Sequence, residues 1–287
     1  MRLKAILKSN KHMYSIIKAV RKFQFDFLPY AKSRCSFNTK RMLRTSGIYR
    51  KSPYEKLKTI KGRHNGERCF IVATGPSLKI EDLNKLNGET TISMNSICLA
   101  FNETDWRPTY YGIQDEGVYG LMKKYIDELD VECKFISDNV LRGHNFEILK
   151  NHYIFPLNML HHLRPNNTDY TTKFSKDIFA TVYSGLTITY SLLQIAIYMG
   201  FKEIYLLGAD CHYGGNMKHH FKDYDYVDPT FALAQDMMTT SYKVAKKYAD
   251  KHNIKIYNAT RGGMLEVFER VDLDEVLEKT ERKSIAL

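Results

Sequence analysis

The run Ala73-Thr74-Gly75-Pro76-Ser77-Leu78 is the first place where residue types and spacing can do chemistry. It follows Arg68-Cys69-Phe70-Ile71-Val72, an apolar stretch that reads as a buried strand. Glycine permits a tight turn and a close backbone approach, and proline can occupy the first turn of a helix. Amides exposed at that helix start, with the Thr74 and Ser77 hydroxyls, would suit a phosphate. The segment is neither a Walker loop nor a full G-x-G-x-x-G, and an ordinary strand–turn–helix junction has the same composition. Asn95 closes a second run, Thr90-Thr91-Ile92-Ser93-Met94. A carboxamide there can read a ribose or base edge, or simply make a turn. Ser184-Gly185 precedes an apolar segment, where Ser184 can cap a helix or help hold an anion.

A second group lies further along. Glu203-Ile204-Tyr205-Leu206-Leu207 reads as a strand that delivers Asp210 to a glycine-bearing loop, 208–215, followed by Lys218-His219-His220-Phe221. Imidazole is the natural general base near neutral pH. Asp210, His212, His219 and His220 could instead ligate a metal, or the histidines could be solvated loop residues. Asp223-Tyr224-Asp225 matches the D-x-D pattern of metal-dependent glycosyltransferases, but three-residue matches arise readily by chance. Gln114 and Asp115, after a third apolar run, and His161, His162 and Arg164, in a long polar loop, are candidates for an acceptor side or a lid.

The elements that must position these residues follow from periodicity. Strands are predicted at 68–73, 90–95, 108–114, 133–137, 153–157, 203–207 and 254–257. A helix apolar nearly all round is predicted over 185–199, stopped by Gly200, and another from Asp228-Pro229 to about His252. The alternation implies an α/β fold: a Rossmann-like, mostly parallel sheet with helices on both faces. Ahead of it, residues 2–23 read as a basic amphipathic helix, followed by Phe25, Phe27, Leu28 and Tyr30 and then a polar basic stretch to about Gly62. The division is an arm, 1–62, and a Rossmann-like domain, 63–287.

Net charge sharpens that division. The whole chain carries +11, but residues 1–62 carry +15 and residues 63–287 carry −4. A nucleic-acid-binding body is therefore disfavoured. A basic amphipathic arm, residues 1–30, suits an anionic membrane surface, while packing on its own domain or a second subunit is the alternative. Five cysteines (35, 69, 98, 133 and 211) with no C-x-x-C pair suggest a reducing compartment. No uncharged apolar run is long enough to span a bilayer, and the N-terminus does not read as a signal peptide.

Taken in order, the xGPSL turn, the asparagine-ended strand, Ser184-Gly185 before a buried helix, "MGFKEIYLLGAD", a histidine loop and "IKIYNAT" resemble the MptE-like family. They also resemble the bacterial sialyltransferases of glycosyltransferase family 42. The resemblance covers roughly Glu67 to Leu277. The sialyltransferase branch implies a CMP-sugar donor held by Thr74, Gly75, Pro76, Ser77, Asn95, Ser184 and Gly185, with Tyr213 or Tyr224 on the leaving phosphate. It implies Asp210 as organiser, His219 or His220 as base, and no metal requirement. The other branch implies a magnesium-dependent transfer of diphosphate from ATP to a 6-hydroxymethylpterin, with Asp115 and Glu116 in its acidic cluster.

The resulting expectation is a cytoplasmic glycosyltransferase, peripheral on the inner face of the membrane, acting in cell-surface polysaccharide synthesis on a glycan or lipid-linked acceptor. A homo-oligomer is compatible with it. The alternatives are the diphosphokinase and a non-catalytic nucleotide-binding subunit.

Overall fold

The structure is a computed structural model that describes residues 11–144, 147–161, 170–212, 220–222 and 231–278. Two compact units divide the chain. The smaller comprises residues 1–50 and 158–170, the larger residues 51–157 and 171–287.

In the smaller unit, α1 (Lys11–Lys22) continues through a π-helical turn, Phe23–Phe27, into α2 (Leu28–Thr45). The polar basic stretch expected after Tyr30 is therefore helical for half its length. Its sequence lacks an apolar stripe, but Lys, Arg, Met and Leu are good helix formers and Pro29 sits in the first turn of α2.

The larger unit is built on eight parallel strands. In chain order they are β1 (Arg68–Val72), β2 (Thr91–Met94), β3 (Tyr110–Ile113), β4 (Cys133–Ser137) and β5 (His152–Phe155), then, after the two-residue strands β6 (Leu157–Asn158) and β7 (Val182–Tyr183), β8 (Glu203–Leu207), β9 (Lys255–Asn258) and β10 (Glu269–Arg270). Across the sheet the order is β10-β9-β8-β1-β2-β3-β4-β5. All neighbours are parallel, with β1 registered against β2 at Phe70–Thr91 and against β8 at Phe70–Tyr205. The chain winds outward from β1 in one direction through β5, then returns to its other side with β8. The gap between the carboxyl ends of β1 and β8 is thus a topological switch point, where open α/β sheets bind ligands.

Both sheet faces are covered, so the central strands are apolar without alternation: Cys69, Phe70, Ile71 and Val72 are all fully buried. On one face Phe70, Val72, Tyr111 and Ile136 pack with α3 (Ile80–Lys85), α4 (Glu116–Glu128) and residues 273–278, through Leu83, Val118, Met122, Ile126 and Val276. The short helix α5 (Asp138–Gly143) follows β4 directly. The buried helix α6 (Ile188–Met199) packs on β1, β2 and β3 from the other face. Helix α7 (Phe231–Lys251) buries Ala234, Met238, Tyr242, Ala245 and Ala249 in one stripe, packing against α6 and β9.

One cap differs from expectation. Helix α6 begins at Ile188, and its N-cap is Thr187, whose Oγ1 accepts the Thr189 N–H at 3.3 Å. Ser184 lies three residues earlier. Its hydroxyl accepts the Leu186 N–H at 3.4 Å, making a turn that leads into the cap.

Candidate functional site

A cleft with a cavity of about 160 Å³ opens at the carboxyl edge of β1, β2, β3 and β8. Its walls are Ala73–Pro76 after β1, Met94 and Asn95 at the end of β2, Gln114 and Asp115 after β3, and Gly208–His212 after β8. Leu186–Thr189 at the start of α6, His220, and Met238 and Tyr242 of α7 complete it.

The turn after β1 is fixed by the turn after β8. The Ala73 N–H donates to the Leu207 carbonyl at 2.8 Å, and the Gly75 N–H to the Gly208 carbonyl at 2.9 Å. Asp210 Oδ2 accepts from Ser77 Oγ at 2.8 Å and from the Ser77 N–H at 3.3 Å. The backbone approach is possible only for glycine: a Cβ on residue 75 would lie 2.0 Å from Asp210 Oδ2 and 2.4 Å from the Gly208 carbonyl oxygen. Behind Asp210, its own carbonyl accepts the Met264 N–H at 2.7 Å, and Thr260 Oγ1 accepts the Ala209 N–H at 3.1 Å. Asp210 thus holds the Gly75-Pro76-Ser77 turn through Ser77, whose side chain faces Asp210 and leaves the cleft wall to Thr74, Gly75 and Pro76.

Burial pushes the Asp210 carboxyl above its ordinary value, and the two Ser77 hydrogen bonds oppose that shift without cancelling it. A raised carboxylate pKa means that the folded state binds the proton more tightly than the unfolded chain. The stability tied to this group is then fully present below the ordinary carboxylate range and is lost as pH rises through the folded-state value. Asp210→Asn keeps an oxygen acceptor for Ser77 and removes the titration. The variant is therefore expected to be at least as stable as the parent at pH 7 and to lose its advantage as pH falls. Urea midpoints measured on both proteins from pH 3 to pH 8 check this. A stability difference constant across that range contradicts it.

Strained backbone concentrates at the cleft. Four non-glycine residues among those described have left-handed φ: Asn95 (48°), Leu186 (64°), Cys211 (51°) and Asn253 (52°). Three of them, Asn95, Leu186 and Cys211, line it. Such conformations cost roughly 1–3 kcal/mol each and persist where the surroundings enforce them, commonly at ligand sites. For Asn95 the enforcement is visible, because Tyr111 Oη donates to its carbonyl at 2.6 Å. The side-chain Oδ1 of Asn95 is buried and accepts no hydrogen bond from a described residue. An orphaned buried acceptor at a cleft wall is matched by a ligand that brings a donor.

The structure brings together Thr74, Gly75, Pro76, Asn95, Gln114, Asp115, Asp210 and His220. Gln114 is held by Ser191 Oγ, which donates to its Oε1 at 2.7 Å. Asp115 caps α4, its Oδ1 accepting the Val118 N–H at 2.8 Å. Ser184 and Gly185 stand behind the wall that Leu186–Thr189 forms, with the Ser184 carbonyl accepting from Thr172 Oγ1 at 2.8 Å. His161 belongs to the smaller unit. His162, Arg164, Tyr213, His219, Tyr224 and the Asp223–Asp225 motif lie outside the described residues.

The sequence marks His212 only as a candidate metal ligand. In the structure it lines the cleft, makes no hydrogen bond to a described residue, and lies near enough to Asp210 to favour that carboxylate's charged form. Its position just after a strand-end aspartate and a cysteine is the one sequence signal it carries. Among the described residues no group of three His, Cys, Asp or Glu side chains is placed to hold a metal ion. The two carboxylates at the cleft, Asp115 and Asp210, are already engaged by Val118 and Ser77.

The family model described as 6-hydroxymethylpterin diphosphokinase MptE-like matches residues 40–216, more than half of the sequence. The chain belongs to the MptE-like family. That match spans the Gly75 turn, Asn95, Asp115 and Asp210 of this MptE-like chain, and ends just beyond His212. No curated protein matches the chain. Among solved structures, similarity is found to the MAf glycosyltransferase from Magnetospirillum magneticum AMB-1, at 12% identity and a TM-score of 0.45, covering 82% of this MptE-like chain and 41% of that one. This chain thus spans about two fifths of that protein's length. The sialyltransferase CstII from Campylobacter jejuni, in complex with cytidine-5'-monophosphate, is 15% identical with a TM-score of 0.45, covering 72% of this chain and 85% of its own. Its complex with CMP-3FNeuAc gives 14% identity and a TM-score of 0.40, over 71% of this chain and 85% of its own.

Proposed function

We propose that this MptE-like chain is a transferase acting on a nucleotide-activated sugar, with a CMP-linked donor, in the synthesis of a cell-surface polysaccharide. The observation that carries the reading is the strained cleft at the β1/β8 switch point, walled by the Gly75 turn and the orphaned Asn95 acceptor and bearing two imidazoles. Hydroxyls of a ribose or the amino group of a base would satisfy Asn95 Oδ1. The Thr74 hydroxyl and the amides at the start of α6 suit a phosphate.

In this reading an imidazole of His212 or His220 takes the proton of an acceptor hydroxyl. The acceptor oxygen then forms a bond to the anomeric carbon as the bond from that carbon to the phosphate oxygen breaks. The electron pair leaves on the phosphate, whose charge the amides and hydroxyls offset. Asp210 positions the turn through Ser77. The acceptor is a glycan or a lipid-linked glycan, and the scattered cysteines fit work in the cytoplasm.

The family description favours a second reading, transfer of diphosphate from ATP to a pterin alcohol with magnesium. Asp115 and Glu116 are the described residues that would serve it, and the engagement of Asp115 and Asp210 within the protein weighs toward the first.

A thermal-shift screen with CMP, UDP, GDP and ATP, each with and without magnesium, separates the two. A ligand at a hundred times its Kd stabilises by about 2.7 kcal/mol, enough for a clear shift. CMP stabilising the chain without magnesium is the expected result. Stabilisation by ATP alone, dependent on magnesium and lost in Asp115→Asn, would overturn it. Nucleotide binding without turnover of any donor would point to a non-catalytic subunit.

A further inference from the structure

The smaller unit leaves a row of large apolar side chains in water. Met13, Ile16, Val20, Phe23, Phe25 and Phe27 are all between 45% and 66% exposed. Helical spacing places Met13, Ile16, Val20 and Phe23 on one side of α1, with Lys18, Arg21 and Lys22 on the other. The π-helical turn then carries three phenylalanines in five residues. Its wider winding is closed by the Leu28 N–H donating to the Phe23 carbonyl, and it leaves the Phe23 and Phe27 rings stacked at 5.5 Å. A run of exposed apolar residues this dense marks an interaction surface.

Charge selects the occupant. Residues 11–45 contain nine Lys and Arg and one acid, Asp26. A second copy of the arm would bring like charge against like charge, which opposes self-pairing. An anionic bilayer complements both features at once: the apolar side sinks to the acyl boundary, and the basic side meets the headgroups.

We propose that residues 11–28 form an in-plane anchor on anionic phospholipid bilayers, with Phe23 and Phe27 of the π-helical turn, stacked on the apolar side, as its inserted part. The proposal is independent of what the cleft does.

The test uses the full chain and two vesicle populations, phosphatidylcholine alone and phosphatidylcholine with about 30% phosphatidylglycerol, read by co-sedimentation. Binding is expected to the second population only, and to fall at least about tenfold in 0.5 M salt, where the Debye length shrinks to a few ångströms. Phe23→Ser, Phe25→Ser and Phe27→Ser combined should lower binding about tenfold or more. These side chains are exposed, so the far-UV circular dichroism and melting temperature should stay those of the parent. A separate Phe27→Trp protein should show blue-shifted emission on the anionic vesicles, reporting burial of that position. Equal, salt-insensitive binding to both populations, unchanged binding by the triple variant, or unshifted Phe27→Trp emission would each overturn the proposal. So would a vesicle-free dimer, seen by light scattering, that the triple variant dissolves.

Discussion

Gly75→Ala is expected to cost roughly 3 kcal/mol or more of stability and to abolish any nucleotide-dependent stabilisation. A Cβ there would lie 2.0 Å from Asp210 Oδ2 and 2.4 Å from the Gly208 carbonyl, and neither neighbour is a flexible end. Asp210 is tied down by two Ser77 donors and, through its own carbonyl, by Met264. The Gly208 carbonyl accepts the Gly75 N–H itself. Relief therefore means separating the β1 and β8 turns, which is the same as opening the cleft. For a domain of this size the melting temperature should fall by roughly 5–10 °C. Gly88→Ala supplies the control. Gly88 has φ +87°, and an added methyl would meet nothing within 4 Å, so its replacement costs only backbone strain of about 1 kcal/mol and leaves nucleotide binding intact. A Gly75→Ala protein as stable as the parent, still shifted by nucleotide, would show that the two turns are not interlocked.

The second large effect is on turnover. If an imidazole at the cleft removes the acceptor proton, His212→Ala or His220→Ala should lower the transfer rate by about 10²–10⁴. The affinity for the nucleotide, read by thermal shift, should change much less. The more damaging of the two substitutions should also flatten the acidic limb of the pH–rate profile, since that limb reports protonation of the base. The hydrogen bonds to Asp210 come from Ser77 and not from either histidine, so both variants should fold, and a melting temperature measured on each separates loss of the base from loss of the fold. Full turnover in both variants would sink this assignment.

The strands were legible because burial on both faces removes ambiguity. Cys69–Val72 and Ile204–Leu207 are continuous apolar runs, and the residues that follow them, Gly75 and Gly208-Ala209-Asp210, break the run sharply. Elements shorter than a period were not legible: β6, β7 and β10 have two residues each, and alternation cannot be read from two. Helix α2 was hidden because its sequence, LPYAKSRCSFNTKRMLRT, has propensity without an apolar stripe.

At the site, residue type pointed to the turn of Thr74-Gly75-Pro76, to Asn95 and to Asp210, and the cleft contains them. Choosing Thr187 over Ser184 as the α6 cap was beyond reach, since both are good caps three residues apart. The choice rests on the left-handed backbone of Leu186 between them. The strain at Asn95, Leu186 and Cys211 is conformational and has no signature in residue type.

The strand order also has a consequence in time. Strand β1, the centre of the sheet, finds one of its two partners at once in β2 but must wait for β8 to supply the other, pairing Arg68 with Glu203. Ribosomes add roughly 5–20 residues per second, so on the order of ten seconds separates the emergence of the two strands. During that interval the nascent chain presents a bare strand edge, apolar from Cys69 to Val72, the kind of surface that recruits other unfinished chains. Closing so long a loop also makes the β1–β8 pairing a slow event. Because the Gly75 turn leans on the Gly208 carbonyl and on Asp210, this wall of the cleft is among the last parts of the molecule to come into existence.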